Sequence, residues 1–261
     1  MSDANALIGS GDIDGARAVL VDQVRRSPDD QGGRMFLFQL FCVLQEWDKA
    51  ASQLRALASL SPEAQMLSVV YNQAIEAEKA RALAFTGLGP FPIVGGGEWI
   101  GGLAEAMAAK AQGHFDRAAQ LRDQAFDAAP DTPGEVDGHS FAWISDADGR
   151  FGPALEIIVA GQWGLVGFDA ISSIKTPGAR DLRDLVWMPV EVAFRSGQSA
   201  AAFLPARYPA ADATDSELRL ARRTDWRTGP LGEEGVGQRL LTLDDGSELP
   251  ILSIRTLQFH P

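Results

Sequence analysis

Apolar residues in the first half of the chain recur at helical spacing. Ala16, Val19, Leu20 and Val24, with Gln23 among them, fall on one face, and Ala50, Leu54, Leu57 and Ala58 on another. Residues 3–29 therefore predict a helical hairpin: a short first helix broken at Gly9-Ser-Gly11, then a second that Asp12 or Asp14 can cap and Pro28 ends. Residues 31–44 and 47–60 predict a second hairpin with Trp47 at its turn, and Pro62 suits the first turn of a long helix over 62–85. Thr86 to Gly97 holds two prolines and five glycines, which forbid a continuous helix. Helix resumes over Glu98–Gln112, and Asp116–Ala128 completes a last hairpin.

The hairpins obey one ruler. Gly11–Asp29, Gln45–Glu63 and Gly113–Asp131 are each 19 residues long. Each carries an apolar residue at its third place (Ile13, Trp47, Phe115), then Asp (Asp14, Asp48, Asp116), then Ala (Ala16, Ala50, Ala118), and later Pro (Pro28, Pro62, Pro130). The starts are 34 and then 68 residues apart, and a 34-residue period marks tetratricopeptide-type hairpins. The missing beat near Lys79 is where the Pro/Gly segment 86–97 interrupts the array. At least three repeats are normally needed to close a repeat core, so this interrupted array is expected to lean on the rest of the chain for stability.

After Thr132 the period changes. Ala154–Ala160 and Gly164–Phe168 are short apolar runs broken by Gly161, and Ile171–Lys175, Val190–Phe194 and Ala200–Leu204 also predict strands. Gln238–Leu243 and Leu249–Ile254 flank Asp245-Gly246, a strong hairpin signal. The expected fold is α+β: tetratricopeptide-like hairpins over 1–131 packed on a β-rich unit over 132–261, either a small barrel or a strongly bent sheet.

Charge narrows the partners. Net charge is −12, with 11 Lys/Arg against 17 Asp/Glu through Pro133 and 12 against 18 after it. This balance argues against nucleic acid and anionic lipid as main partners. The N-terminus lacks a basic-then-apolar leader, no run of 18 apolar residues exists, and a cytoplasmic location is expected. The single cysteine, Cys42, lies in an apolar run and reads as a small buried hydrophobe.

Candidate chemistry is sparse. His114, His139 and His260 are scattered, so no zinc spacing arises and no metal is expected. Asp146-Ala-Asp148-Gly149 has the look of a calcium loop, but the first ligand position would be Ile144 and the bidentate position Leu155; a turn before a strand fits better. Gly95-Gly-Gly97 before a helix could hold an anion on its amides, yet Glu98 would repel phosphate, and a turn capped by that glutamate is the plainer reading. No G-x-S-x-G elbow occurs. Arg219-Leu-Ala-Arg222-Arg223-Thr-Asp-Trp226-Arg227 concentrates four arginines and a Trp. It could dock acidic or phosphate groups, or pair with local acids such as Glu217 and Asp225 around a core Trp226.

Several phrases are similar to one family as a set. They are Gly134-Glu-Val-Asp-Gly138, Phe141-Ala-Trp-Ile-Ser-Asp-Ala-Asp148 with Arg150-Phe-Gly-Pro153 and Leu155-Glu156, and Asp181-Leu-Arg-Asp-Leu-Val-Trp-Met-Pro189. Pro205-Ala-Arg-Tyr-Pro209, Leu220-Ala-Arg-Arg-Thr-Asp-Trp226, Gly237-Gln-Arg-Leu240 and, earlier, Arg34-Met-Phe-Leu-Phe-Gln-Leu40 and Glu98-Trp99 after the Pro-rich insertion complete the set. Together they resemble the ImpE/TagJ (SciE-type) family of type VI secretion accessory proteins. The resemblance implies a cytoplasmic bacterial adaptor with no enzymatic activity and no cofactor. Its partners would be an amphipathic helix of the small sheath subunit, TssB-like, and a ClpV-type AAA+ unfoldase that recycles contracted sheath.

A repeat groove receives such a helix on apolar anchors at i, i+3/i+4 and i+7. If first helices face the groove, Arg34, Phe38 and Phe41, with Gln73 and Glu76 on the next helix, would line it; Phe38 and Phe41 also fit ordinary core. A different class of reading is a small hydrolase with its site between the halves, at Asp146, Asp148, Arg150, Trp187 and Arg223. Those residues with Arg222 and Trp226 could equally be a docking patch or stitch the halves together through Asp–Arg pairs. A self-assembling scaffold is a third reading.

Overall fold

The computed structural model describes residues 2–209 and 215–261. Its helical half comprises α1 (Ser2–Gly9), α2 (Ile13–Arg26), α3 (Gln31–Val43), α4 (Trp47–Ala58), α5 (Pro62–Phe85), α6 (Trp99–Ala111) and α7 (Phe115–Ala128). Each packs on its neighbour in sequence. Asp12, Asp30 and Ser61 cap α2, α3 and α5, accepting from the amides of Gly15, Gly33 and Ala64.

The 34-residue ruler has a local cause. Its first place (Gly11, Gln45, Gly113) is a left-handed residue in all three copies, with φ of 82°, 58° and 80°. Each ends a helix with the same pair of bonds. The following amide reaches back five residues (Asp12 to Leu7, Glu46 to Phe41, His114 to Ala109), and the left-handed residue's own amide reaches back three. The third place is then the first residue of the next helix, and Ala16, Ala50 and Ala118 are fully buried, small enough for the paired helices to approach closely.

The β half contains β1 (Ile93–Gly95), β2 (Gly134–Val136), β3 (His139–Phe141), β4 (Ile144–Asp146), β5 (Ala154–Val159), β6 (Gln162–Gly167), β7 (Ile171–Lys175), β8 (Trp187–Phe194) and β9 (Ser199–Pro205). A short α8 (Ser216–Arg219) precedes β10 (Thr224–Gly229), β11 (Gly232–Gly237), β12 (Leu240–Leu243), β13 (Glu248–Pro250) and β14 (Thr256–Phe259). Among the described residues nine strands form one sheet in the order β1-β6-β5-β9-β8-β7-β14-β2-β3; β13-β12-β4 form a second, and β10-β11 a hairpin.

The large sheet is open yet strongly bent. Four strand spacings separate β6 from β7, about 19 Å in a flat sheet. Only Phe168–Ala170 joins them, and four residue steps reach at most about 14 Å. The sheet therefore curls, and its concave face closes over the small sheet around Phe168, Met188, Leu204, Leu241, Ile251 and Phe259.

The convex face meets the helices. One buried cluster joins Phe38, Leu40, Tyr71 and Trp99 of the helical half to Ile158, Trp163, Trp187 and Tyr208 of the β half. The Pro/Gly insertion becomes the sheet's edge: β1 pairs in parallel with β6. Glu98 makes no capping bond to α6; instead Asp169, from the turn after β6, accepts from the Gly97 amide (2.8 Å) and the Trp99 indole (3.3 Å). The expected strand 249–254 is cut short after Pro250, where a 3-10 turn takes over.

Candidate functional site

A chain of buried charges fills the seam between the halves. It begins on α5, where Glu78 accepts from the Trp187 indole (3.1 Å) and pairs with Arg81 (3.3 Å). Arg81 places two bonds of 2.7 Å on Glu156 of β5 and a third on the Arg207 carbonyl. Glu156 also takes the Trp163 indole (2.9 Å) and the Arg239 guanidinium, which bridges onward to Asp146. Arg239 lies over the Phe151 and Tyr208 rings, and the Tyr208 hydroxyl donates to Asp146 (2.9 Å). Asp148 clasps Arg150 and accepts from the Gly235 amide (2.7 Å). Arg207 donates to the carbonyls of Val43 and Arg219, tying α3 to α8.

This network is balanced: Arg81, Arg150, Arg207 and Arg239 face Glu78, Asp146, Asp148 and Glu156, all buried. Burial alone would raise Glu156, but Arg81 and Arg239 outweigh it and hold the carboxyl below the usual range. Burial wins at Asp146, pushed up to about 6 against the pull of Arg239, with Asp148 adding to the rise. Burial lowers Arg207 to about 10. Each carboxylate is clasped by a guanidinium, an indole or a backbone amide, which suits a structural bridge more than an acid–base pair. Among the described residues no group of three or more His, Cys, Asp or Glu is placed to hold a metal.

The seam is open to the surface at one end as an apolar groove of about 450 Å³. Tyr71, Gln73 and Ala74 of α5 form one wall; Ile158, Gly161, Pro189, Ala201 and Phe203 form the other. The Tyr71 and Phe203 rings stand 5.5 Å apart in it. On the lip, Met66, Val69 and Val70 of α5 are 72%, 57% and 42% exposed.

The residues singled out by sequence divide sharply. Gln73 lines the groove, and Glu76 lies exposed near it, paired with Lys79 (3.0 Å). Phe38 and Phe41 are buried core, Phe38 against Tyr71, and are not groove residues: their side of α3 faces the adjoining helices. Arg34 reaches the Pro28 carbonyl (2.5 Å) and Gln53 (2.9 Å), bracing the hairpin rather than facing the groove. Asp146, Asp148, Arg150 and Trp187 are buried in the seam; of these, Arg150 also lines a cavity of about 340 Å³ with Glu78, Arg81 and Glu234. Arg222 donates to the Ile8 carbonyl (2.7 Å) and so closes the end of α1; Arg223 pairs with Asp215 and Asp225 at the surface; Trp226 packs on Tyr208. Cys42 is buried, and burial raises its thiol.

Sequence reasoning missed Arg81, Glu156, Tyr208 and Arg239 as the heart of the network. Glu156 had a usable signal: a lone carboxylate inside the apolar strand Ala-Leu-Glu-Ile-Ile-Val must find a cation.

Comparisons with known proteins give the following similarities. Residues 138–258 match the family described as ImpE protein. The type VI secretion system accessory component TagJ of Pseudomonas aeruginosa is 40% identical over 260 residues, covering 99% of this chain and 91% of the relative. The crystal structure of VPA1032 from Vibrio parahaemolyticus superposes with a TM-score of 0.88 at 22% identity, covering 99% of this chain and 98% of the other.

Proposed function

Because the chain belongs to the ImpE/TagJ family of type VI secretion accessory components, we propose that it is a non-enzymatic adaptor of that machine. Its partner is an amphipathic helix of the small, TssB-like sheath subunit, and its work is linked to the ClpV-type unfoldase that recycles sheath. The observation that carries this reading is the apolar groove beside α5, about 450 Å³ in volume, whose lip leaves Met66, Val69 and Val70 exposed. A groove of that kind accepts a helix through anchors at i, i+3/i+4 and i+7. The location is cytoplasmic, where sheath is assembled; no helix among the described residues is long and apolar enough to cross a membrane.

Calorimetry with the purified full chain and purified small sheath subunit tests the reading. A saturable complex is expected, lost when the subunit's amphipathic helix is removed. No heat of binding, or binding undiminished by that removal, would contradict it.

A further inference from the structure

The apolar face of α5 does not stop where its cover stops. Met66, Val70, Gln73, Ala77 and Ala84 fall along one line of the helix, at steps of four, three, four and seven residues. Ala77 and Ala84 are buried against the rest of the molecule. Gln73 sits on Gly161, at the tip of the β5–β6 turn, where an added Cβ would meet it at 3.0 Å. The sheet ends there. N-terminal to that point the same face carries Met66, Val69 and Val70, exposed among the described residues, a stretch of roughly 10 Å from Met66 to Gln73, about two helical turns.

The surroundings of this stretch are acidic. Glu63 and Glu76, both exposed, lie about 60° and 80° to either side of Met66 around the helix. Glu76 shares Lys79 with Asp48, leaving that triad one negative charge. Across the groove, Glu191 is exposed on β8, paired in register with groove residue Ala201 and on the same face as Pro189. Arg183, stacked on the Tyr71 ring, is matched by Asp181. The wider molecule carries −12.

We infer that the N-terminal turns of α5, with the Tyr71–Phe203 groove, are the docking surface for a partner helix whose apolar stripe is bordered by lysine and arginine. The inference rests on the adaptor reading and adds to it the surface and the charge of the occupant. Apolar anchors seat on Met66, Val69 and Val70 and fill the groove. The cationic border faces Glu63, Glu76 and Glu191, which steers encounter and disfavours acidic or uncharged helices.

The test places a benzoylphenylalanine photocrosslinker at Val69 in the full chain, in cells assembling the secretion machine, with Val19 on α2 as the control position. Adducts are mapped by peptide mass spectrometry. An adduct at position 69, absent at 19, to a segment with apolar residues at i, i+3/i+4 and i+7 and Lys/Arg beside them, carries the inference. Met66→Asp with Val70→Asp should then cut that adduct at least tenfold while the far-ultraviolet spectrum is unchanged, since both side chains are exposed. If the basic helix belongs to a protein other than the sheath subunit, this inference stands and the sheath-partner reading fails. An adduct to a second copy of this chain, to an acidic or non-helical segment, or no adduct at all overturns the inference. Sheath-subunit binding by calorimetry would then still leave the adaptor reading standing.

Discussion

Glu156→Gln is the sharpest perturbation of the seam. The substitution keeps shape but removes the charge that receives Arg81 twice at 2.7 Å, Arg239, and the Trp163 indole. A glutamine amide must turn its own N–H groups toward one of the two guanidiniums, so a buried donor meets a donor. Breaking a buried pair by removing one partner costs about 3–5 kcal/mol, because the other charge stays buried. For a chain of this size each kcal/mol lowers Tm by roughly 2–4 °C, so the melt should fall by about 6–20 °C. Glu76→Gln on the same helix is the control: it loses an exposed pair with Lys79 and should cost less than about 1 kcal/mol. Scanning calorimetry of both variants at pH 7 makes the comparison. If Glu156→Gln melts within about 2 °C of wild type, or no lower than Glu76→Gln, the network does not hold the helices to the sheet.

Two further outcomes follow from the same geometry. Asp146 has its folded pKa raised to about 6, above an ordinary aspartate near 3.9, so its protonation favours folding at low pH and that stabilisation is lost as pH rises from about 4 through 6. Urea melts of wild type and Asp146→Asn should therefore show wild type losing about 3 kcal/mol relative to the variant between pH 4 and 7; a flat or rising difference would mean Arg239 keeps the carboxyl ionised throughout. At Gly235, an added Cβ would lie 2.2 Å from the Tyr208 ring, so Gly235→Ala should displace that ring from Asp146 and cost on the order of 1–3 kcal/mol by overpacking, visible as lost near-ultraviolet tyrosine signal; an unchanged spectrum and melt would refute the contact.

The helical half was legible because its determinants are local. Apolar spacing, Asp12, Pro62 and the repeated left-handed position define helices without reference to distant chain, and α5 spans the expected 62–85. Longer strands such as β5, β6 and β9 were legible for the same reason. The three-residue strands β1 and β4 were not: β1 exists because β6 offers it an edge, and β4 because β12 lies beside it. Their partners are more than 60 residues away in sequence, and no local pattern records that. The site divides in the same way. Phe38 and Phe41 were nominated from repeat geometry, but in this fold both rings are buried, and Met66, Val69 and Val70 of α5 form an exposed apolar stripe. Asp146, Asp148, Arg150 and Trp187 were noticed as a cluster, yet Arg81, Glu156 and Arg239, which complete the network around them, come from three separate regions.

We propose that α5 and the groove beside it receive the partner, and hydrogen exchange with and without purified small sheath subunit addresses this directly. Slowed exchange confined to residues 62–76, 158–161 and 189–203 is the predicted result. Protection elsewhere on the chain, with those segments unchanged at saturation, would contradict it.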